Sequence, residues 1–199
     1  MFRFAKPIWL KDRENEINLA VSFETTVNTL QDATLRVAAA TFYRVLVNGR
    51  FVAFGPARTA KGYARVDELA LGAYDNGTGE SLVRVEVVGY NCRSLSTCLQ
   101  PSFLCAEIEA RGTVIAYTGR DFTAAEMPQK EQRAERFSIQ RHFTEVWELD
   151  RVDGERQTPA VVAGPPFSYP VWHLIPITRI SGAPRQAHAA PSHRTTPSP

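Results

Sequence analysis

The chain has little of what would mark a specialised protein. Cysteine occurs three times in 199 residues, as Cys92, Cys98 and Cys105. That spacing makes no CxxC pair and no zinc knuckle, and an odd count closes no disulfide framework, so the thiols read as free. An excess of one charge is missing too. The 23 Lys and Arg against 21 Asp and Glu leave +2, too even a balance to call for nucleic acid or an anionic membrane as partner. No stretch approaches the ~20 apolar residues of a membrane span. The opening MFRFAKPIWLKDREN is charged by its third residue and holds no apolar run of signal-peptide length, which sets the expectation of a cytoplasmic protein. No internal repeat and no convincing helix stand out.

What is present is strand patterning. In ATLRVAAATFYRVLVNGRFVAFGPAR (Ala33–Arg58), Leu35, Val37 and Ala39 alternate with Thr34, Arg36 and Ala38. Phe42, Arg44 and Leu46 then alternate with Tyr43, Val45 and Val47. Successive side chains of a strand point to opposite faces, so this period of two describes a sheet with two environments. Asn48-Gly49 follows, and both residues tolerate the positive φ of a type I′ hairpin turn. Arg50–Phe54 is the returning strand, stopped by Gly55-Pro56.

The same pattern recurs along the chain. Residues 1–16 read as an extended arm, with Trp9 and Leu10 tucked under the sheet. Ile17, Leu19, Val21 and Phe23 mark a half-buried strand, and Tyr63–Leu71 a weaker one. Asp75–Glu80, DNGTGE, is a turn. Val83, Val85 and Val87 line one face of the clearest strand, Leu82–Val88. Residues 92–101 read as an irregular polar loop. Leu104–Ala110 and Thr113–Tyr117 make a second hairpin around Arg111-Gly112. Thr123–Glu126 has capping-box spacing, but Pro128 follows too soon for a long helix. Residues 126–136 are polar and connect to Phe137–Leu149, which is expected to regain strand character with Phe143, Trp147 and Leu149 as anchors. Many short strands separated by turns predict an all-β fold, an antiparallel β-sandwich of jelly-roll or galactose-binding-like type. The expected division is residues 1–150 as the sandwich domain, 151–180 as a linker and the start of a truncated second module, and 181–199 as a disordered tail of Pro, Ala, Ser, Thr and His.

The run from Ala33 through VNG…GPAR to VRVEVVGYN resembles the N-terminal β-sandwich module of bacterial α-L-rhamnosidases and related family 78 glycoside hydrolases. ERFSIQRHFTEVWEL (Glu135–Leu149) resembles the segment closing that module, and Pro159–Pro176 the approach to the next. The resemblance covers residues 15–176. It implies that the catalytic carboxylates lie in a separate helical barrel downstream, so no catalytic residue is expected in this chain. It also implies two partners, a missing C-terminal catalytic domain and a rhamnose-containing saccharide. No cofactor, metal, nucleic acid or membrane is expected.

Four residues are candidates for carbohydrate binding. Arg58 ends a strand pair, and its planar guanidinium could fork onto sugar hydroxyls, with a structural salt bridge as the alternative. Tyr63 and Tyr90 could offer ring faces with polar tips, or lie buried with one bonded end. Asn91 could contact the sugar or simply shape a turn. Trp9, Trp147 and Trp172 could line a sugar platform, with core and interdomain packing as the alternative. Asp75, Asn76 and Glu80 suggest calcium only superficially, since turn chemistry accounts for them. Glu145 and Glu148 would face opposite sides of a strand and make no glycosidase pair. His142 and His173 have no evident catalytic partners. The expected role is therefore a non-catalytic accessory domain of a rhamnosidase-like hydrolase. A free-standing carbohydrate-binding module is the rival, and an enzyme in its own right comes last.

Overall fold

The computed structural model describes residues 2–57, 63–95, 97 and 99–162, with Tyr63 and His173–Pro176 described by backbone alone. The chain order is β1 (Ile8–Trp9), β2 (Leu19–Val27), β3 (Ala33–Ala39), β4 (Phe42–Val47), β5 (Arg50–Gly55), β6 (Tyr63–Ala70), β7 (Ser81–Gly89), β8 (Leu104–Ala110), β9 (Thr113–Tyr117), β10 (Thr123–Glu126), β11 (Ala160–Val161) and β12 (His173–Pro176). The described helical content is one 3₁₀ turn, Gly72–Tyr74. No helix among the described residues is long and apolar enough to cross a membrane.

Two sheets pack face to face. The first runs β11-β1-β8-β3-β6-β12, with β9 also on β8, and the second runs β10-β2-β7-β4-β5. The expected all-β sandwich is the observed fold. β2 and β7 pair antiparallel along their whole length, from Leu19↔Gly89 to Val27↔Ser81. The register decides which side chains meet inside. Phe23 lies opposite Val85, and Val85 opposite Val45. Leu35 of the facing sheet lies between Leu69 and Ile108. All six are buried in one apolar cluster. Asn48 (φ 50°) and Gly49 (φ 75°) both occupy the left-handed region that the hairpin turn requires.

Two glycines let the layers approach. A Cβ on Gly55 would lie 2.5 Å from the Tyr43 hydroxyl, and one on Gly89 would lie 2.1 Å from Ser102 Oγ. The Tyr43 hydroxyl in turn donates to Asp67 of β6, a polar link between the sheets. Burial first, then the hydrogen bond to Asp67, raises the Tyr43 pKa, so the phenol stays a donor.

Outside the core, the first sheet carries a charged ladder. Arg36 sits between Glu68 (2.9 Å) and Glu109 (2.8 Å). Beside it Glu107 is fully buried, because the N-terminal arm folds over it. Its Oε2 accepts the backbone N–H groups of Arg3 (2.8 Å), Phe4 (2.8 Å) and Ala5 (3.3 Å). The arm continues into β1; Trp9 and Leu10 are buried as the sequence suggests, and Ile8 is buried with them.

Thr123–Glu126, with its capping-box spacing, is a strand that pairs with Val21–Glu24. One expectation needs correction. Phe137–Leu149 is not a strand. It holds only the bridges Arg136↔Phe143 and Lys130↔Trp147, and Leu149, expected as an anchor, is solvent-exposed. Beyond residue 150 the chain returns to the sandwich: β11 pairs with β1, and β12 runs parallel to β6. Residues 181–199 lie outside the described residues.

Candidate functional site

The outer face of the second sheet carries the densest polar network of the described chain. Register places Glu24 opposite Arg84, and Glu86 opposite both Ser22 and Arg44. Arg84 bonds Glu24 and Glu86 at 2.8 Å each, and Arg44 bonds Glu86 at 2.5 Å. Neighbouring strands put unlike charges side by side, which favours the register.

The segment 127–157 is draped over this face. Its anchor is Asp153, which takes a two-pronged contact from Arg84 (2.6 and 3.1 Å), the Gln129 amide (2.7 Å) and the Ser22 hydroxyl (2.8 Å). Arg156 adds bonds to Asp153 (3.0 Å) and Glu24 (2.6 Å). Burial alone would lift the Asp153 carboxyl, but the bonds from Arg84, Gln129 and Ser22 outweigh it and hold the group below the usual aspartate range. Asp153 is therefore a fixed anion. Further along, Lys130 is buried, and its ammonium donates to Asn18 Oδ1 at 2.7 Å. Burial draws the Lys130 pKa below its ordinary value.

Between sheet and segment lies an open cleft of ≈ 570 Å³, with Arg44, Arg84 and Glu86 on the sheet side and Gln129, Trp147 and Arg151 on the other. Trp147 is 36% exposed, and the Arg44 guanidinium lies 5.9 Å from its ring centroid. Its backbone is held on both sides: Glu131 N–H donates to the Val146 carbonyl (2.9 Å), and Glu148 N–H to the Gln129 carbonyl (2.7 Å).

Of the four carbohydrate candidates, Tyr90 and Asn91 have described side chains, and both are buried. Tyr90 is buried, with His142 stacked on its ring at 4.7 Å and 4°, and Phe42 edge-on at 5.8 Å. Burial, and then the nearby Glu145 charge, raises its pKa, so the phenol is neutral. Of the two readings of Tyr90, an available ring face or a buried ring, the buried one is observed, because aromatic neighbours cover it. Asn91 is also buried. It adopts φ 39° and donates to the Asn15 carbonyl at 2.6 Å, which makes it a turn residue. Arg58 and the side chain of Tyr63 lie outside the described residues, as do Cys98, Trp172 and the side chain of His173. Cys92 and Cys105 are free and buried. Trp9 belongs to the core, which leaves Trp147 as the accessible tryptophan among the described residues.

The supposed calcium run is turn chemistry. Asp75 Oδ1 accepts the Gly77 N–H (2.9 Å), and Asn76 Oδ1 accepts that of Thr78 (3.0 Å). Among the described residues, no group of three or more His, Cys, Asp or Glu could hold a metal ion.

No family model matches the sequence, and no curated protein matches it. Solved structures do match the fold. The GH78 family rhamnosidase of Bacillus sp. GL1 superposes with a TM-score of 0.75 at 21% identity, over 88% of this chain. An α-L-rhamnosidase of Streptomyces avermitilis overlaps 81% of the chain at TM-score 0.49 and 14% identity, and 15% of its own length is covered. A lectin from Pleurotus ostreatus overlaps 81% at TM-score 0.45 and 16% identity, with 43% of its length covered. The chain spans only 20% of the length of the Bacillus enzyme. In fold, then, this chain is similar to about one fifth of a GH78 family rhamnosidase.

Proposed function

We propose that the chain is a non-catalytic accessory module of an α-L-rhamnosidase-like glycoside hydrolase, and that it packs on a catalytic domain elsewhere in the polypeptide. The observation that carries this reading is the overlap of 88% of the chain with a fifth of a GH78 enzyme. Two features support it. Glycoside hydrolysis canonically needs two carboxyl groups held across the scissile bond; among the described residues lining the cleft there is one carboxylate, Glu86, ion-paired to Arg44 and Arg84. In addition, the edge strand β5 exposes Phe51 (58%) and Phe54 (65%). An apolar sheet edge is a liability for a lone domain and an asset for one that docks.

Carbohydrate binding is the second reading, favoured by the open cleft beside Trp147. Two assays separate the readings. The purified chain is expected to release no nitrophenol from p-nitrophenyl α-L-rhamnopyranoside, and sustained turnover would overturn the non-catalytic reading. Calorimetric titration with L-rhamnose yields binding heat if the module recognises sugar, and none if it only packs.

A further inference from the structure

We infer that the cleft between the second sheet and the segment 127–157 is a binding site for a neutral saccharide, with Trp147 as its platform. This rests on the carbohydrate reading above and assigns it a place and a ligand class.

The first argument is shape and surface. Sugar recognition needs one apolar plane for the C–H face of the ring and polar groups around its rim. Trp147 is half-open, and its neighbours Val146 and Glu148 are pinned by backbone bonds, so the indole is preorganised. Arg44 stands beside the ring with 45% of its side chain exposed, which leaves N–H donors at the rim.

The second argument is charge. Each guanidinium of the cleft already has a carboxylate: Arg44 has Glu86, Arg84 has Glu24, Glu86 and Asp153, and Arg151 has Glu148. An acidic sugar or a phosphate would therefore find no guanidinium without a carboxylate, and would bring its own charge beside Glu86. A hydroxyl meets neither obstacle, because it donates to a carboxylate lone pair and accepts from a guanidinium N–H at once.

The test is a ¹⁵N NMR titration of the full 199-residue chain with methyl α-L-rhamnopyranoside, methyl α-D-galactopyranoside, methyl α-D-glucopyranoside and D-glucuronate. The inference expects at least one neutral glycoside to shift the Trp147 indole N–H and the amides of Arg44, Arg84 and Gln129. Trp147→Ala should weaken binding by about tenfold and Trp147→Phe by about threefold, since a smaller ring keeps part of the platform. Glucuronate should bind no tighter than the neutral glucoside. Trp147→Phe and Arg44→Met serve as the gentler variants should Trp147→Ala fail to fold, and Arg44→Met should also weaken binding. The inference is overturned by a dispersed spectrum that no neutral glycoside moves, by shifts confined to residues outside the cleft, by unchanged affinity in Trp147→Phe and Arg44→Met, or by preference for glucuronate. None of these bears on the accessory role, which falls only with rhamnoside turnover.

Discussion

Asp153→Asn removes one negative charge from the point where the segment 127–157 is tied to the sheet, and it changes almost no volume. In the native chain this carboxylate faces Arg84 and Arg156, with side chains 17%, 22% and 30% exposed. Leaving a fully buried partner charge unpaired costs about 3–5 kcal/mol. Here Arg84 keeps Glu24 and Glu86, and Arg156 keeps Glu24, so the loss should be nearer 2 kcal/mol. For a domain of this size, about 2 kcal/mol lowers Tm by roughly 4–8 °C. Scanning calorimetry at neutral pH reads the loss directly, and pH supplies the control. The folded pKa of Asp153 lies below its unfolded value, so its stabilisation is complete above the unfolded pKa of ~3.9 and fades as pH falls through the folded one. The gap between parent and variant should therefore hold from pH 7 to about pH 5 and close below about pH 4. A variant melting within about 1 °C of the parent at pH 7, or a gap undiminished near pH 3, would refute the assignment of Asp153 as the anchor.

Gly89→Ala should cost about 1–3 kcal/mol in urea unfolding, because the new methyl meets Ser102 Cβ at 2.7 Å and Trp9 at 3.1 Å; a neutral outcome would mean that the Trp9 arm gives way freely. Glu107→Ala strips three backbone N–H groups of their acceptor, and it should speed amide exchange at Arg3–Ala5 and tryptic cleavage after Arg3 at least tenfold, about 1.4 kcal/mol of local opening. Asn48→Ala should cost about 1–2 kcal/mol, since the Asn48 side chain accepts from Leu82 N–H (2.9 Å) and donates to the Tyr74 carbonyl (3.2 Å); unchanged urea unfolding would reduce Asn48 to a turn former.

The parts of the fold that can be read in the residue order are those whose cause is local. Alternation over Ala33–Val47 and Leu82–Val88 fixes which side chains enter the core, and Asn48-Gly49 fixes the turn. The segment 127–157 has no such cause. Its hold on the sheet comes from contacts such as Ser22 with Asp153, and Arg84 with Asp153, 131 and 69 residues apart. No period announces them, and a polar stretch that covers a sheet looks like one that connects. Leu149 misleads for the same reason: an apolar residue with no pattern around it carries no face. Tyr90 follows Val88 and Glu86 in the alternation of β7, yet its burial depends on His142, which arrives from that same unpatterned segment. The cleft at Trp147 is built between the legible part and the illegible one. Its tryptophan is noticeable in the sequence, and its setting is not.

The pairing of β1 has a consequence for biosynthesis. Ile8 is held on one side by Leu104 and on the other by Val161. Strand β1 thus acquires its last neighbour some 150 residues later in the chain. At ~5–20 residues per second, that is roughly 8–30 s after it emerges. Through this interval Ile8, Trp9 and Leu10, all buried at the end, travel as an apolar lure on a nascent chain. A cell making this protein has to shield Ile8 and Trp9 until β11 has been made.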